Sequence, residues 1–355
     1  MHKSDVNAEW IQRVLQEREL LCSSATITGA MIEPIGTGQV ADSVRVELEI
    51  DGDAPFNSLV AKVSSDNEGS RAAGRTELNY LREVRFYEEV APRLSARVPE
   101  CYYSEIDSNG SEFVLLLEDL SPATAGNQLN GTSVENVELA LKQAARFHAP
   151  FWGGEELRDS EWLDISGTYW RRFEEMMPTW WAGFRQRFNG RIADDHLAFG
   201  DSFVENIGKY YGLMRSLPPT VQHGDFRPDN FLFGVDREPS SVAVVDWQTV
   251  LLAPGPVDAA YCVGGSLSAD VRRENEDRLL QTYTEELSTY GVDVDVDEIK
   301  TAYAAGTMHN FIIGVAAAML VVRTERGDDL FHSMVTNAVS HAQDQSALQQ
   351  LGIAP

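Results

Sequence analysis

The sequence predicts an α+β protein with two lobes, on three observations. Alternating apolar residues mark the chain up to Asp119, helical periodicity dominates from Leu120 onward, and 355 residues at 43% hydrophobic can fill two cores. The expected division sets residues 1–119 against residues 120–355, with a ligand expected between the lobes.

Trp10, Val14, Leu15 and Arg18 recur at helical spacing over 7–21, with Asp5 or Asn7 placed to cap them. Strand-like chemistry begins at 31–35. Residues 43–50 then alternate, with Val44, Val46, Leu48 and Ile50 on one face and charges on the other. The turn D-G-D-A-P at 51–55 leads into a strand, S-L-V-A-K-V, at 58–63. Residues 64–75 are polar, contain Gly and Ser, and read as a loop. Leu78, Leu81, Val84 and Tyr87 form one stripe of a helix over 77–90. Beyond Pro99, residues 100–105 and 112–117 flank D-S-N-G and predict a hairpin. In the second part, Thr132 and Glu135 make a capping box for a helix ending at His148. Residues 151–215 are helical or irregular. Strand-like pieces at 230–234 and 241–246 precede helices over about 271–288, 296–323 and 328–349.

Acidic residues outnumber basic ones 55 to 29, a formal charge of −26. A surface this negative repels phosphodiester backbones and anionic lipid, so neither nucleic acid nor membrane is an expected partner, and small cations are favoured. Cys22, Cys101 and Cys262 are odd in number and lack metal-ligand spacing, as expected of buried reduced thiols in a cytoplasmic protein. No signal-like apolar run opens the chain. The longest apolar stretch, 308–322, falls short of the roughly 20 residues that span a bilayer and reads as a buried helix.

The strongest chemical signal is V-Q-H-G-D-F-R-P-D-N-F-L-F-G at 221–234, followed by V-A-V-V-D-W-Q at 242–248. His-Gly-Asp with Asn five residues after the Asp arises by chance in roughly one chain in a thousand of this length. Transfer of the terminal phosphoryl group of ATP needs an in-line hydroxyl whose proton is accepted late, and divalent cations to neutralise phosphate charge. Asp225 suits the first task. Asn230 and Asp246 offer hard oxygens to Mg2+, which takes few protein ligands beside phosphates and water.

These motifs, with E-D-L at 118–120 and A-P-G-P-V-D-A-A-Y at 253–261, resemble the aminoglycoside phosphotransferase and choline kinase-like superfamily. Within it the sequence is most similar to the branch of ecdysteroid kinase-like proteins, over residues from about 30 to 265. The resemblance implies the two-lobed protein-kinase-like fold, with Asp225 as catalytic base and Asn230 and Asp246 as magnesium ligands. It also implies that Asp258 ties down the catalytic loop through its backbone.

The front lobe offers further candidates. Lys62 in L-V-A-K-V has the place of the strand lysine that grips the α- and β-phosphates. Glu83 is the helical acid to orient it, by the family's spacing to the strand after Pro99, with Glu77 the competitor. Gly36 and Gly38 of G-T-G-Q would let backbone N–H groups approach the phosphates, although the third glycine of the protein-kinase pattern is missing. L-L-L-E-D-L at 115–120, including Glu118 and Leu120, would meet adenine through its main chain; an ordinary connector is the plain alternative.

Only eleven residues separate Asp246 from Asp258. That leaves no room for the activation loop and peptide platform of a protein kinase, so a small hydroxylated molecule is the expected acceptor. Five of seven tryptophans lie between 152 and 181, either as an aromatic acceptor pocket or as helix packing. His148 reads as a core histidine. The expected activity is transfer of the γ-phosphoryl group of ATP to that molecule's hydroxyl, with Mg2+. An aminoglycoside-type antibiotic kinase and a catalytically idle nucleotide-binding protein are the alternatives.

Overall fold

The alternation at Val44, Val46 and Leu48 becomes strand β2 in the computed structural model, which describes residues 3–36, 40–163, 168–238 and 241–353. Two units are distinguished by their internal packing. One comprises Met1–Arg93, Val98–Pro122 and Val245–Thr249; the other comprises Leu94–Arg97, Ala123–Val244 and Val250–Pro355.

The first unit is a five-stranded antiparallel sheet with helices. Its strands are β1 (Thr26–Ile35), β2 (Ala41–Asp51), β3 (Ser58–Ser64), β4 (Cys101–Ile106) and β5 (Phe113–Glu118), in the order β1-β2-β3-β5-β4. Helix α1 (Ala8–Glu17) starts where the Asn7 side chain accepts from the Trp10 N–H at 3.0 Å, a cap worth about 1 kcal/mol. It buries Ile11, Val14 and Leu15 in one cluster with Val44 and Val46 of β2, Leu59, Ala61 and Val63 of β3, and Leu116 of β5. Each such side chain stabilises the unit by about 1.5–3 kcal/mol. Because side chains alternate along a strand, Lys62 leaves β3 on the face opposite Ala61 and Val63.

The stretch expected as a loop at 64–75 instead carries helix α2 (Glu68–Thr76). Asn67 caps it through the Ser70 N–H, and its arginines and alanines favour the helix despite two glycines. The single helix expected over 77–90 is also broken. Leu78, left-handed at φ 57° and exposed, separates α2 from α3 (Asn79–Arg85), which continues as a π-helical turn at Phe86–Val90.

The second unit is mainly helical. Its elements are β6 (Thr124–Ala125), α4 (Val134–His148), α5 (Thr168–Arg187), α6 (Asp194–Glu205), α7 (Ile207–Ser216), β7 (Thr220–Gln222), β8 (Phe231–Phe233), β9 (Val242–Val244), β10 (Leu251–Ala253), α8 (Pro256–Ser266), α9 (Ala269–Thr289), α10 (Val296–Leu320), α11 (Glu325–Asp344) and α12 (Ala347–Gln350). The cap of α4 is Ser133, not the expected Thr132: Ser133 is extended and accepts from the Asn136 N–H, while Thr132 accepts from the Asn136 side chain. Helix α10 begins on a capping box formed by Asp295 and Glu298. It is long and apolar enough to cross a membrane by length and composition, and 72% of its most apolar window is buried inside the protein.

Every residue of α8 is buried, and α10 lies against it. Gly306 permits the approach, since a Cβ there would stand 2.8 Å from the Val257 Cα. Strands β6, β8 and β9 form one small antiparallel sheet, and β7 pairs with β10 in another. These strands fix the ends of the loops that carry the chemistry. All three cysteines are free thiols, but only Cys262 is buried; Cys22 is exposed in the turn after α1, beside the Ser24 hydroxyl.

Candidate active site

Within the first unit, the Lys62 ammonium lies 2.6 Å from Glu83 Oε2 and 2.7 Å from Asp246 Oδ1. Glu83 comes from α3, and Asp246 from the segment Val245–Thr249 that returns to this unit. Burial works against the ammonium, but the Asp246 and Glu83 carboxylates outweigh it and hold the Lys62 pKa above the usual lysine range. Burial pushes the Glu83 carboxyl up, and Lys62 offsets only part of that. Asp246 is left-handed at φ 67°, a conformation that aspartate tolerates better than most residues. Its neighbours hold it there. Trp247 is fully buried and stacks on Phe86, ring centroids 3.9 Å apart, and the Asn79 amide donates to the Gln248 carbonyl at 3.0 Å. Glu77, the competing acid, ends α2.

Within the second unit, residues 223–230 join β7 to β8. Asp258, in the first turn of α8 and fully buried, accepts from the His223 N–H at 2.6 Å and the Gly224 N–H at 3.1 Å. Gly224 adopts φ 82°, a backbone turn that a side chain would strain. His148 Nε2 lies 3.2 Å from the same Asp258 carboxylate, and His148 Nδ1 lies 2.8 Å from the Tyr283 hydroxyl. Burial lowers the His148 pKa. The neutral ring therefore donates from Nε2 to Asp258 and accepts from Tyr283. His309 Nε2 meets the Gly224 carbonyl at 2.9 Å, fixing the loop from a further side.

The Asp225 carboxylate accepts from Arg227 Nε at 2.9 and 3.0 Å, from the Tyr261 hydroxyl at 2.8 Å and from the Asn230 amide at 3.0 Å. The same amide donates to the Asp225 carbonyl at 2.8 Å. Burial opposes the charge on Asp225, but Arg227 and the Tyr261 hydrogen bond prevail and hold its carboxyl below the usual range.

The structure thus brings Lys62, Glu83 and Asp246 together, and Asp225 and Asn230 together. Gly36 turns the chain after β1 at φ 72°, whereas Gly38 lies outside the described residues. Glu118 closes β5 opposite Leu59, and Leu120 is buried just beyond. Sequence reasoning missed Tyr261 and His309. The signal for Tyr261 was present: three residues after Asp258 on one helix, it shares that residue's face. Three of the five clustered tryptophans are packed in the interior. Trp162, Trp180 and Trp181 are buried, Trp180 edge-on to Phe173 and Trp181 against Phe184, with its indole N–H donated to Asp201.

Residues 40–294 match the ecdysteroid kinase-like family. No curated protein matches the sequence. Among solved structures, the chain is similar to a choline kinase from Cryptosporidium parvum (TM-score 0.57, 10% identity, 98% of each chain covered). It is similar to a microcompartment-associated aminopropanol kinase (TM-score 0.54, 10% identity, 98% of this chain and 99% of that one). A third is the ethanolamine kinase of Plasmodium vivax (TM-score 0.52, 11% identity, 95% of this chain and 87% of that one). At such identities the likeness is one of kinase-like fold.

Proposed function

Since the chain belongs to the ecdysteroid kinase-like family, we propose that it moves the γ-phosphoryl group of ATP to a hydroxyl of a small molecule. The observation that carries this reading is the loop 223–230, where a carboxylate and an amide are held five residues apart by a frame of buried donors. Asp225 takes the acceptor's hydroxyl proton as that oxygen attacks the γ-phosphorus and ADP leaves. A carboxylate held ionised by Arg227 and Tyr261 is a weak base, which suits a proton that moves late. Lys62 grips the α- and β-phosphates, and Glu83 holds its ammonium in place. The turn at Gly36 covers the phosphates, and the main chain around Glu118 and Leu120 meets adenine.

The donor chemistry fits magnesium. Asn230 has its NH2 committed to Asp225, which leaves the amide oxygen as a hard donor, and Asp246 offers a carboxylate. Bound magnesium supplies neutralisation of charge on the phosphate oxygens. The eleven residues after Asp246 support a small acceptor: they form one turn, Trp247–Thr249, the short β10 and the first two residues of α8. The fold neighbours named for choline, ethanolamine and aminopropanol support it too.

The test is ADP release across a panel of hydroxylated compounds, with mass spectrometry for products heavier by one phosphoryl group. A compound that raises ADP release above background and gains that mass supports the reading. Nucleotide binding with no phosphorylated product and no background hydrolysis makes the chain an idle nucleotide-binding protein instead.

A further inference from the structure

An ionised carboxylate has about four lone-pair positions for hydrogen bonds. At Asp225 three hydrogens meet them: the Tyr261 hydroxyl donates to Oδ1, the Asn230 amide to Oδ2, and the single Arg227 Nε–H is shared between both oxygens. An alcohol or a water molecule must therefore compete with these donors to hand its proton to Asp225.

The three donors differ in their freedom to leave. Tyr261 is fully buried on α8, with its carbonyl held by the Asn310 amide. Asn230 is buried, and its amide also holds the Asp225 backbone, so releasing it would undo the loop. Arg227 is different. Its side chain is 20% exposed, and its Nη1 already lies 3.4 Å from Asp229 Oδ2 and 3.3 Å from Gln128 Oε1. Asp229 is in turn steadied by the Gln128 N–H at 2.8 Å. The guanidinium has an anionic partner waiting two residues along the chain.

We infer that Arg227 is a positioning residue that latches the base: it occupies Asp225 until the acceptor arrives, then shifts onto Asp229 and Gln128. The latch discriminates against water, which brings too few contacts of its own to displace a guanidinium. This rests on the phosphotransfer reading above. In the reaction it suppresses, a water oxygen bonds to the γ-phosphorus, the bond from phosphorus to the ADP oxygen breaks, and the water proton passes to Asp225, giving ADP and inorganic phosphate.

The experiment measures ADP release from ATP and Mg2+ with no alcohol added, alongside binding of a fluorescent ATP analogue. Arg227→Met is expected to raise hydrolysis about tenfold, the rate equivalent of one charge-assisted hydrogen bond that no longer has to break. Arg227→Lys, which keeps the charge without the two-oxygen bond, gives an intermediate rise should the methionine variant not fold. Adding Asp225→Asn to Arg227→Met abolishes the gain. Unchanged or slower hydrolysis in nucleotide-binding Arg227 variants, or a gain that survives Asp225→Asn, overturns the latch alone. A wild-type chain that neither binds the analogue nor releases ADP overturns the phosphotransfer reading, and the latch with it.

Discussion

Replacing Asp258 by alanine removes the acceptor that three buried donors share: the His223 N–H at 2.6 Å, the Gly224 N–H at 3.1 Å and His148 Nε2 at 3.2 Å. Each orphaned donor costs about 1–3 kcal/mol. Relaxation makes the sum smaller than three full penalties, so about 4–5 kcal/mol is expected, the range for breaking a buried charged contact. In a unit of this size that lowers the melting temperature by roughly 8–20 °C. Asp258→Asn keeps one accepting oxygen and turns an NH2 group toward the remaining donors, so it recovers part of the loss. Urea denaturation of the three proteins supplies the stabilities. Hydrogen exchange at the amides of 223 and 224 shows whether the loss is local to the loop. Asp258→Ala within 1 kcal/mol of wild type, with both amides still protected, would refute the account of how the loop is held.

Asp225→Ala should lower turnover by about 10²–10⁴-fold, as loss of a general base does, while a fluorescent nucleotide analogue still binds. Asp246→Ala should abolish the magnesium dependence of nucleotide binding, read by titration calorimetry with and without the metal. Stability should also fall in mild acid. Burial lowers the pKa of His148 and His341 from the ordinary 6.5, so below that value the unfolded chain takes up protons that the folded chain refuses. The contribution is intact above pH 6.5 and declines as pH falls beneath it, by up to about 1.4 kcal/mol per pH unit for each histidine. Urea midpoints across that window that slope less steeply in His148→Gln/His341→Gln than in wild type are the expected outcome, since the buried His309 keeps its own share.

The candidate site was legible where its residues are close in sequence or fixed by strand alternation. Asp225 and Asn230 share one loop, and Lys62 follows from the period of β3. Tertiary surroundings decided the rest. Helix α2 looks like a loop because its composition is polar; what makes it a helix is the Asn67 cap and the sheet beside it. The break at Leu78 hides inside an apolar stripe, because no local rule puts a leucine at positive φ. Arg227 was visible in the motif, yet its bond to Asp225 depends on the turn between them. The tryptophans show the reverse case, since clustering in sequence cannot distinguish a pocket from the interior of a helix bundle.

Five residues, Val245–Thr249, complete a unit whose other segments end at Pro122. A fragment cut after that proline would lose the Trp247 ring that covers Phe86 and one of the two carboxylates that neutralise Lys62. The sheet domain is therefore not heritable as a single stretch of gene. It is finished only after more than half of the helical unit has been synthesised, and a recombinant version would need the 245–249 peptide grafted back on.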